Sequence, residues 1–129
     1  MSAKKPVLTS QELEIMKVIW RSGASTVRAV YEALLEHRKI AYTTVMTMMN
    51  ILEQKGYLKK SSKDRAYVYQ ATRPQKQVIR GMVREFVDRV FNGSAEPLLL
   101  HLVEDRRLSE LDVEEIRRML RESSERKKL

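Results

Sequence analysis

A chain of 129 residues, 43% hydrophobic and 33% charged with four glycines and three prolines, has room for one or two small folded domains and lacks the composition of a disordered tail. It holds no cysteine, which excludes disulfides, thiolate nucleophiles, zinc-finger sites and thiolate copper sites. The net charge of +8 favours a polyanionic partner, and the excess is uneven: residues 1 to 72 carry 12 Lys or Arg against 6 acidic residues, residues 73 to 129 carry 13 against 11.

The opening MSAKKPVLTS contains no apolar run of signal-peptide length, and no stretch approaches the ~20 apolar residues of a membrane span, so a soluble, cytoplasmic protein is expected. Lys4 and Lys5 read as a solvated polar arm. Thr9 followed by Glu12 matches a capping box and starts helix 1, whose Leu13, Ile15, Met16, Val18, Ile19 and Trp20 form a broad apolar stripe up to Ser22 and Gly23. Ser25 is the expected N-cap of helix 2, with Val27, Val30, Tyr31 and Leu34 on its buried side. The charged run through Glu36, His37, Arg38 and Lys39 ends it, and His37 has no companion ligand at metal spacing.

Helix 3, AYTTVMTMMNILEQKG, has two characters. Val45, Met48, Met49 and Leu52 make the packed side, and Gly56 suits the left-handed position at its end. Tyr42, Thr43, Thr44, Met46, Thr47 and Asn50 lie away from that stripe. After it, Tyr57 to Lys60 and Arg65 to Gln70 read as the strands of a basic β-hairpin, with Ser61 to Asp64 as the expected turn. Three short helices followed by a hairpin give the order of a winged helix-turn-helix, placing a DNA-binding domain at 1 to 72.

The rest, 73 to 129, reads as three helices forming a dimerisation region, in a mainly α fold. Thr72, Arg73 and Pro74 open the first, with Gln75 completing a second capping box; its stripe includes Ile79, Met82, Val83, Phe86, Val87, Val90 and Phe91 before Asn92 and Gly93. Leu98, Leu99, Leu100, Leu102 and Val103 form a nearly all-apolar segment. Ser109 with Asp112 caps a last helix carrying Val113, Ile116, Met119 and Leu120, after which the chain is expected to fray from Glu125. Under 60 residues cannot easily bury such stripes internally, so Ile79, Val83, Phe86, Val90, Leu99, Leu100, Val103, Ile116 and Leu120 are the candidate dimer contacts. The competing arrangement folds these helices back onto the N-terminal domain. Direct membrane attachment is disfavoured by Asp88, Glu104, Asp105, Glu110, Glu114 and Glu115.

No catalytic or cofactor signature is present. His37 and His101 are the two histidines, and no glycine-rich phosphate loop, HExxH or GxSxG occurs, so neither an enzyme nor a metal or cofactor site is expected. For DNA the fit is physical: the N-terminal turns of a recognition helix touch base edges in the major groove, and threonine offers both a hydroxyl and a methyl there. Lys55, Lys59, Lys60, Lys63 and Arg65 gather at the helix exit and hairpin, where they would grip phosphates and supply salt-dependent affinity.

LTSQELEIMKVIW at 8 to 20, IAYTTVMTMMNILEQKGYL at 40 to 58, DRAYVY at 64 to 69 and LLLHLVEDRRLSELDVEEIRRML at 98 to 120, in that order and spacing, resemble the BlaI/MecI penicillinase-repressor family of winged-helix regulators. The resemblance implies a homodimer on a dyad-symmetric double-stranded DNA operator, repressing a promoter until it is cleaved in its dimerisation region in response to a membrane sensor-protease. It places base reading at Thr43, Thr44, Met46 and Thr47 and the wing contact at Arg65. It puts the cleavage bond at His101 and Leu102, where the β-lactam-responsive relatives have an Asn-Phe pair. The C-terminal cysteines of the copper-responsive branch have no counterpart here. Two readings of other classes remain beside this one: a winged-helix protein-interaction module, without salt-sensitive DNA binding, and a non-specific nucleic-acid-binding protein.

Overall fold

The computed structural model describes residues 7–128. Its elements run α1 (Ser10–Ser22), α2 (Val27–Leu35), α3 (Tyr42–Gln54), β1 (Leu58–Lys63), β2 (Ala66–Ala71), α4 (Gln75–Phe91), α5 (Glu96–Glu104) and α6 (Glu110–Lys128). Lys4 and Lys5 lie outside the described residues.

Local chemistry sets most of the helix ends. At α1 the Thr9 hydroxyl accepts from the Glu12 amide at 3.1 Å and the Glu12 carboxylate accepts from the Thr9 amide at 2.8 Å, the expected capping box. Gly23, at φ +82°, turns the chain out of α1 while its N–H reaches the Ile19 carbonyl. The cap of α2 is Thr26 and not Ser25: the Thr26 hydroxyl accepts from the Ala29 amide at 3.0 Å. Ser25 is extended instead, exchanging two backbone hydrogen bonds with Tyr69 at 2.9 and 2.8 Å and adding a short third rung to the hairpin. Gly56, at φ +88°, ends the α3 segment as expected.

The hairpin turn is tighter than Ser61 to Asp64 suggests. β1 and β2 pair antiparallel from Leu58 opposite Ala71 to Lys63 opposite Ala66, which leaves Asp64 and Arg65 as a two-residue loop. Both have positive φ, +51° and +67°, the sign a primed turn requires to match the twist of the strands. Strand pairing runs through Ser61 and Ser62 because their backbone groups find partners in Val68 and Tyr67, whatever their turn propensity.

Ile15, Met16 and Ile19 of α1, Val30 and Leu34 of α2, and Val45, Met49 and Leu52 of α3 are fully buried against one another, with Leu58 and Tyr69 sealing the core from the hairpin. Each such side chain stabilises by roughly 1.5–3 kcal/mol on leaving water. Trp20 lies at the edge of this core, half-buried, its indole N–H donating to the Arg73 carbonyl at 2.9 Å. Thr72 does not open the next helix: its hydroxyl contacts the Gly56 and Tyr57 carbonyls at 2.7 and 3.2 Å, tying the end of β2 to the exit of α3. The Pro74 carbonyl instead accepts the first α4 hydrogen bonds, from Gln77 and Val78.

The chain divides into two compact units between Met82 and Val83, inside α4. The division falls well beyond the end of β2 because Val78 is buried in the winged-helix core and Met82 packs against it. In the second unit, Phe91 stands edge-on to Phe86 with ring centroids 5.8 Å apart and tilted against His101, also at 5.8 Å. Asn92 and Gly93 leave α4 at positive φ, and Ser109 and Asp112 exchange backbone-to-side-chain hydrogen bonds of 2.9 and 3.1 Å at the start of α6. α6 continues to Lys128 through the segment expected to fray; Arg118, paired with Glu115 and Glu122 at helical spacing, supports its middle. Among the described residues no helix is long and apolar enough to cross a membrane.

Candidate nucleic-acid interface

The 3.6-residue period of α3 buries Val45, Met48, Met49 and Leu52 and leaves Thr43, Thr44, Met46 and Thr47 exposed together. Met46 keeps 39% of its surface in water, and Ile51, one turn beyond Thr47, is a further exposed apolar side chain that the sequence reading did not single out. This face carries hydroxyls, methyls and a thioether and no charge, so it can discriminate base edges while contributing little general attraction.

Two residues of the expected reading set are engaged elsewhere. The Asn50 carbonyl oxygen accepts from the Tyr69 hydroxyl at 2.9 Å, so this amide ties the middle of α3 to β2. Tyr42 opens α3 with its ring in an edge contact to Tyr31, centroids 5.4 Å apart at 80°, and with the Arg28 guanidinium 5.8 Å from its centroid. A single sequence hides both contacts, since each joins residues well apart in the chain.

Strand alternation splits the basic wing. Lys59 and Lys63 share the outer face of the hairpin. Lys60 is on the face that also holds the core-sealing Leu58 and Tyr69, its ammonium 4.4 Å from the Tyr67 ring centroid and 5.9 Å from that of Tyr69. Arg65 occupies the turn at the tip and is exposed. Of the five cations expected to act together, Lys55 is withdrawn from the set. Its ammonium lies 2.7 and 2.9 Å from the two Glu12 carboxylate oxygens, joining the end of α3 to the start of α1. Burial works to raise the Glu12 carboxyl, but the Lys55 ammonium and the Thr9 amide and hydroxyl outweigh it and hold the group below its ordinary value. The exposed face of α3 is therefore held in place by a largely buried ion pair at one end and the Asn50–Tyr69 bond in its middle.

The candidate dimer contacts are exposed or half-buried. Val83, Phe86, Val90, Leu99, Leu100, Val103 and Leu120 are exposed, Ile79 and Ile116 half-buried, and no described side chain of α5 or α6 is buried. His101 is exposed and Leu102 half-buried, both within α5. Among the described residues no group of three or more His, Asp or Glu is placed to hold a metal ion.

A sequence profile of the penicillinase repressor family matches residues 8–122. The chain is 30% identical to the penicillinase repressor of Bacillus licheniformis over 97% of its own length and 98% of the relative's. It is 34% identical to the transcriptional regulator BlaI of Mycobacterium tuberculosis over 93% of its own length and 87% of the relative's. Its fold is similar to a solution structure of the monomeric form of B. licheniformis BlaI in complex with the blaP half-operator, with a TM-score of 0.50 and 30% identity over 57% of this chain and 89% of that one. The chain belongs to the penicillinase repressor family, a family of transcriptional repressors and not of enzymes.

Proposed function

We propose that this DNA-binding transcriptional repressor acts as a homodimer on a dyad-symmetric operator, with α3 in the major groove and the hairpin along the neighbouring backbone. The observation that carries the reading is the uncharged polar face of α3 beside a basic wing, in a chain similar along nearly its whole length to a penicillinase repressor. Thr43, Thr44, Met46 and Thr47 read bases; Lys59, Lys63 and Arg65 contact phosphates, and Lys60, seated on Tyr67, adds charge at the wing's inner face. Asn50 and Tyr42 serve by positioning. The exposed apolar side chains of α4, α5 and α6 form the dimer contact, which spaces two recognition helices for two half-sites about 34 Å, or a multiple, apart.

Relief of repression through a membrane sensor-protease follows the same family reading, with His101–Leu102 as the bond. That bond lies inside a helix, so cleavage requires α5 to unwind locally, and the absence of any buried side chain in α5 makes such opening inexpensive. Footprinting on the promoter ahead of the chain's own gene tests the central claim. A protected pseudo-palindrome whose occupancy falls steeply with salt is expected; equal protection of scrambled DNA overturns it.

A further inference from the structure

Arg28 is the one basic residue of α2, and nothing in its local sequence marks it for a role. In the fold it stands at the start of the recognition helix. Its guanidinium lies 5.8 Å from the centroid of Tyr42, the first residue of α3, and Tyr42 is in turn propped edge-on by Tyr31. The cation thus lies beside the first residue of α3, near a ring that is itself braced by a second. Its one ion pair among the described residues is to Glu32 at 3.5 Å, with 70% and 62% of the two side chains exposed. That is longer than a good charge-assisted hydrogen bond and worth little at such exposure.

We propose that Arg28 is a phosphate anchor, a guanidinium held beside the Tyr42 ring whose donors exchange their long, exposed contact with Glu32 for the DNA backbone where it passes α2. This rests on the DNA-binding reading above. The chemistry is that of arginine: a delocalised cation is attracted to an aromatic ring while its planar N–H groups keep a fork suited to two phosphate oxygens. The position agrees with helix-turn-helix docking, in which the helix before the recognition helix crosses the backbone. It also supplies what α3 lacks, a positive charge close to its reading turns, so that phosphate is gripped on the α2 side as well as by the wing. Glu32 is a competitor for the same donors, which phosphate displaces.

The test uses the full chain with two duplexes, one that the wild-type protein selects from a random pool and a scrambled one, with affinities measured across a salt series. Arg28→Ala should weaken both duplexes alike, by about tenfold for each Arg28 in the complex, since each loses one charge-assisted contact. It should lower the slope of log affinity against log salt by about 0.9 for each Arg28 in the complex. Arg28→Lys should keep the slope and lose part of the affinity; Glu32→Gln, which removes the competitor and leaves the guanidinium intact, should tighten both duplexes. An unchanged slope in Arg28→Ala, or a loss confined to the selected duplex, overturns the anchor. A pool that yields no preferred sequence overturns sequence-specific recognition instead, and the slope on any duplex still decides Arg28; a wild-type chain that binds neither duplex overturns both.

Discussion

The two units of this chain use apolar side chains to opposite ends. Up to Met82, α1, α2, α3, the hairpin and the first turns of α4 close around fifteen buried apolar residues, from Leu8 to Val78. From Val83 onward comparable side chains are present and none is buried among the described residues. A domain that seals its own core can present a fixed surface. One that leaves Leu100 and Leu120 more than half exposed pays in solvation until something covers them, and in a chain of this size a second copy is the economical cover.

The comparison is sharpest when one leucine is changed on each side. Leu52→Ala removes a fully buried α3 side chain and should cost between about 2 and 5 kcal/mol in urea unfolding of the winged unit, whatever the protein concentration. Leu100→Lys should leave that unfolding transition in place and, if the proposed homodimer packs through α5, yield a monomer in sedimentation, because burying an unpaired ammonium costs several kcal/mol. If the lysine variant stays dimeric, the contact lies elsewhere than on α5; if Leu52→Ala merely weakens association, the closed core of the first unit is misassigned.

A second intervention acts inside the first unit. The Lys55–Glu12 pair is its buried ionic tie, with 22% and 6% of the two side chains exposed. Lys55→Met should destabilise by roughly 3 kcal/mol, since the carboxylate is left buried with its cation gone. The pH dependence has a defined sign. The Glu12 carboxyl is held below its ordinary value of 4.5, so the stabilisation from the pair is whole above that value and drains away as pH falls through the lower value of the folded state. Acid unfolding curves of wild type and Lys55→Met should therefore converge on the acid side of 4.5; curves that stay parallel there would show that the carboxylate's charge is not what the lysine stabilises.

How much of this was readable beforehand depends on the reach of each interaction. The stripes of α1 and α3, the Thr9–Glu12 and Ser109–Asp112 boxes and the positive φ at Gly23 and Gly56 are local: residues within a turn or two determine them, and the chain states them outright. The partners of Lys55, Asn50, Trp20 and Thr72 lie between 15 and 53 residues away, and each of these side chains reads locally as something plausible and different. Lys55 reads as a phosphate cation and Asn50 as a base reader, and nothing near either in the chain announces Glu12 or Tyr69 as its partner. The dimension missing from the sequence was the use of polar groups, since a polar side chain on a helix surface has many possible partners and an apolar one has only the core.

The hairpin tip carries the smallest effect, and the most telling one for the division of labour within the first unit. Arg65 sits at φ +67°, where a side-chain-bearing residue is disfavoured, after an Asp64 that is also left-handed. Glycine there would complete the Asp-Gly dipeptide that a primed two-residue turn prefers. Arg65→Gly relieves about 1 kcal/mol or somewhat more of left-handed strain and returns part of it as added entropy of the unfolded chain, for a net gain of roughly 0.5 kcal/mol. Affinity for DNA should move the other way, with the salt slope smaller by about 0.9 for each wing that loses its contact. A variant that melts higher and binds worse would mean that the arginine is kept at the tip for what it touches, at the expense of the turn that holds it. A variant that melts higher and binds as before would remove Arg65 from the interface and leave the wing's grip to Lys59 and Lys63.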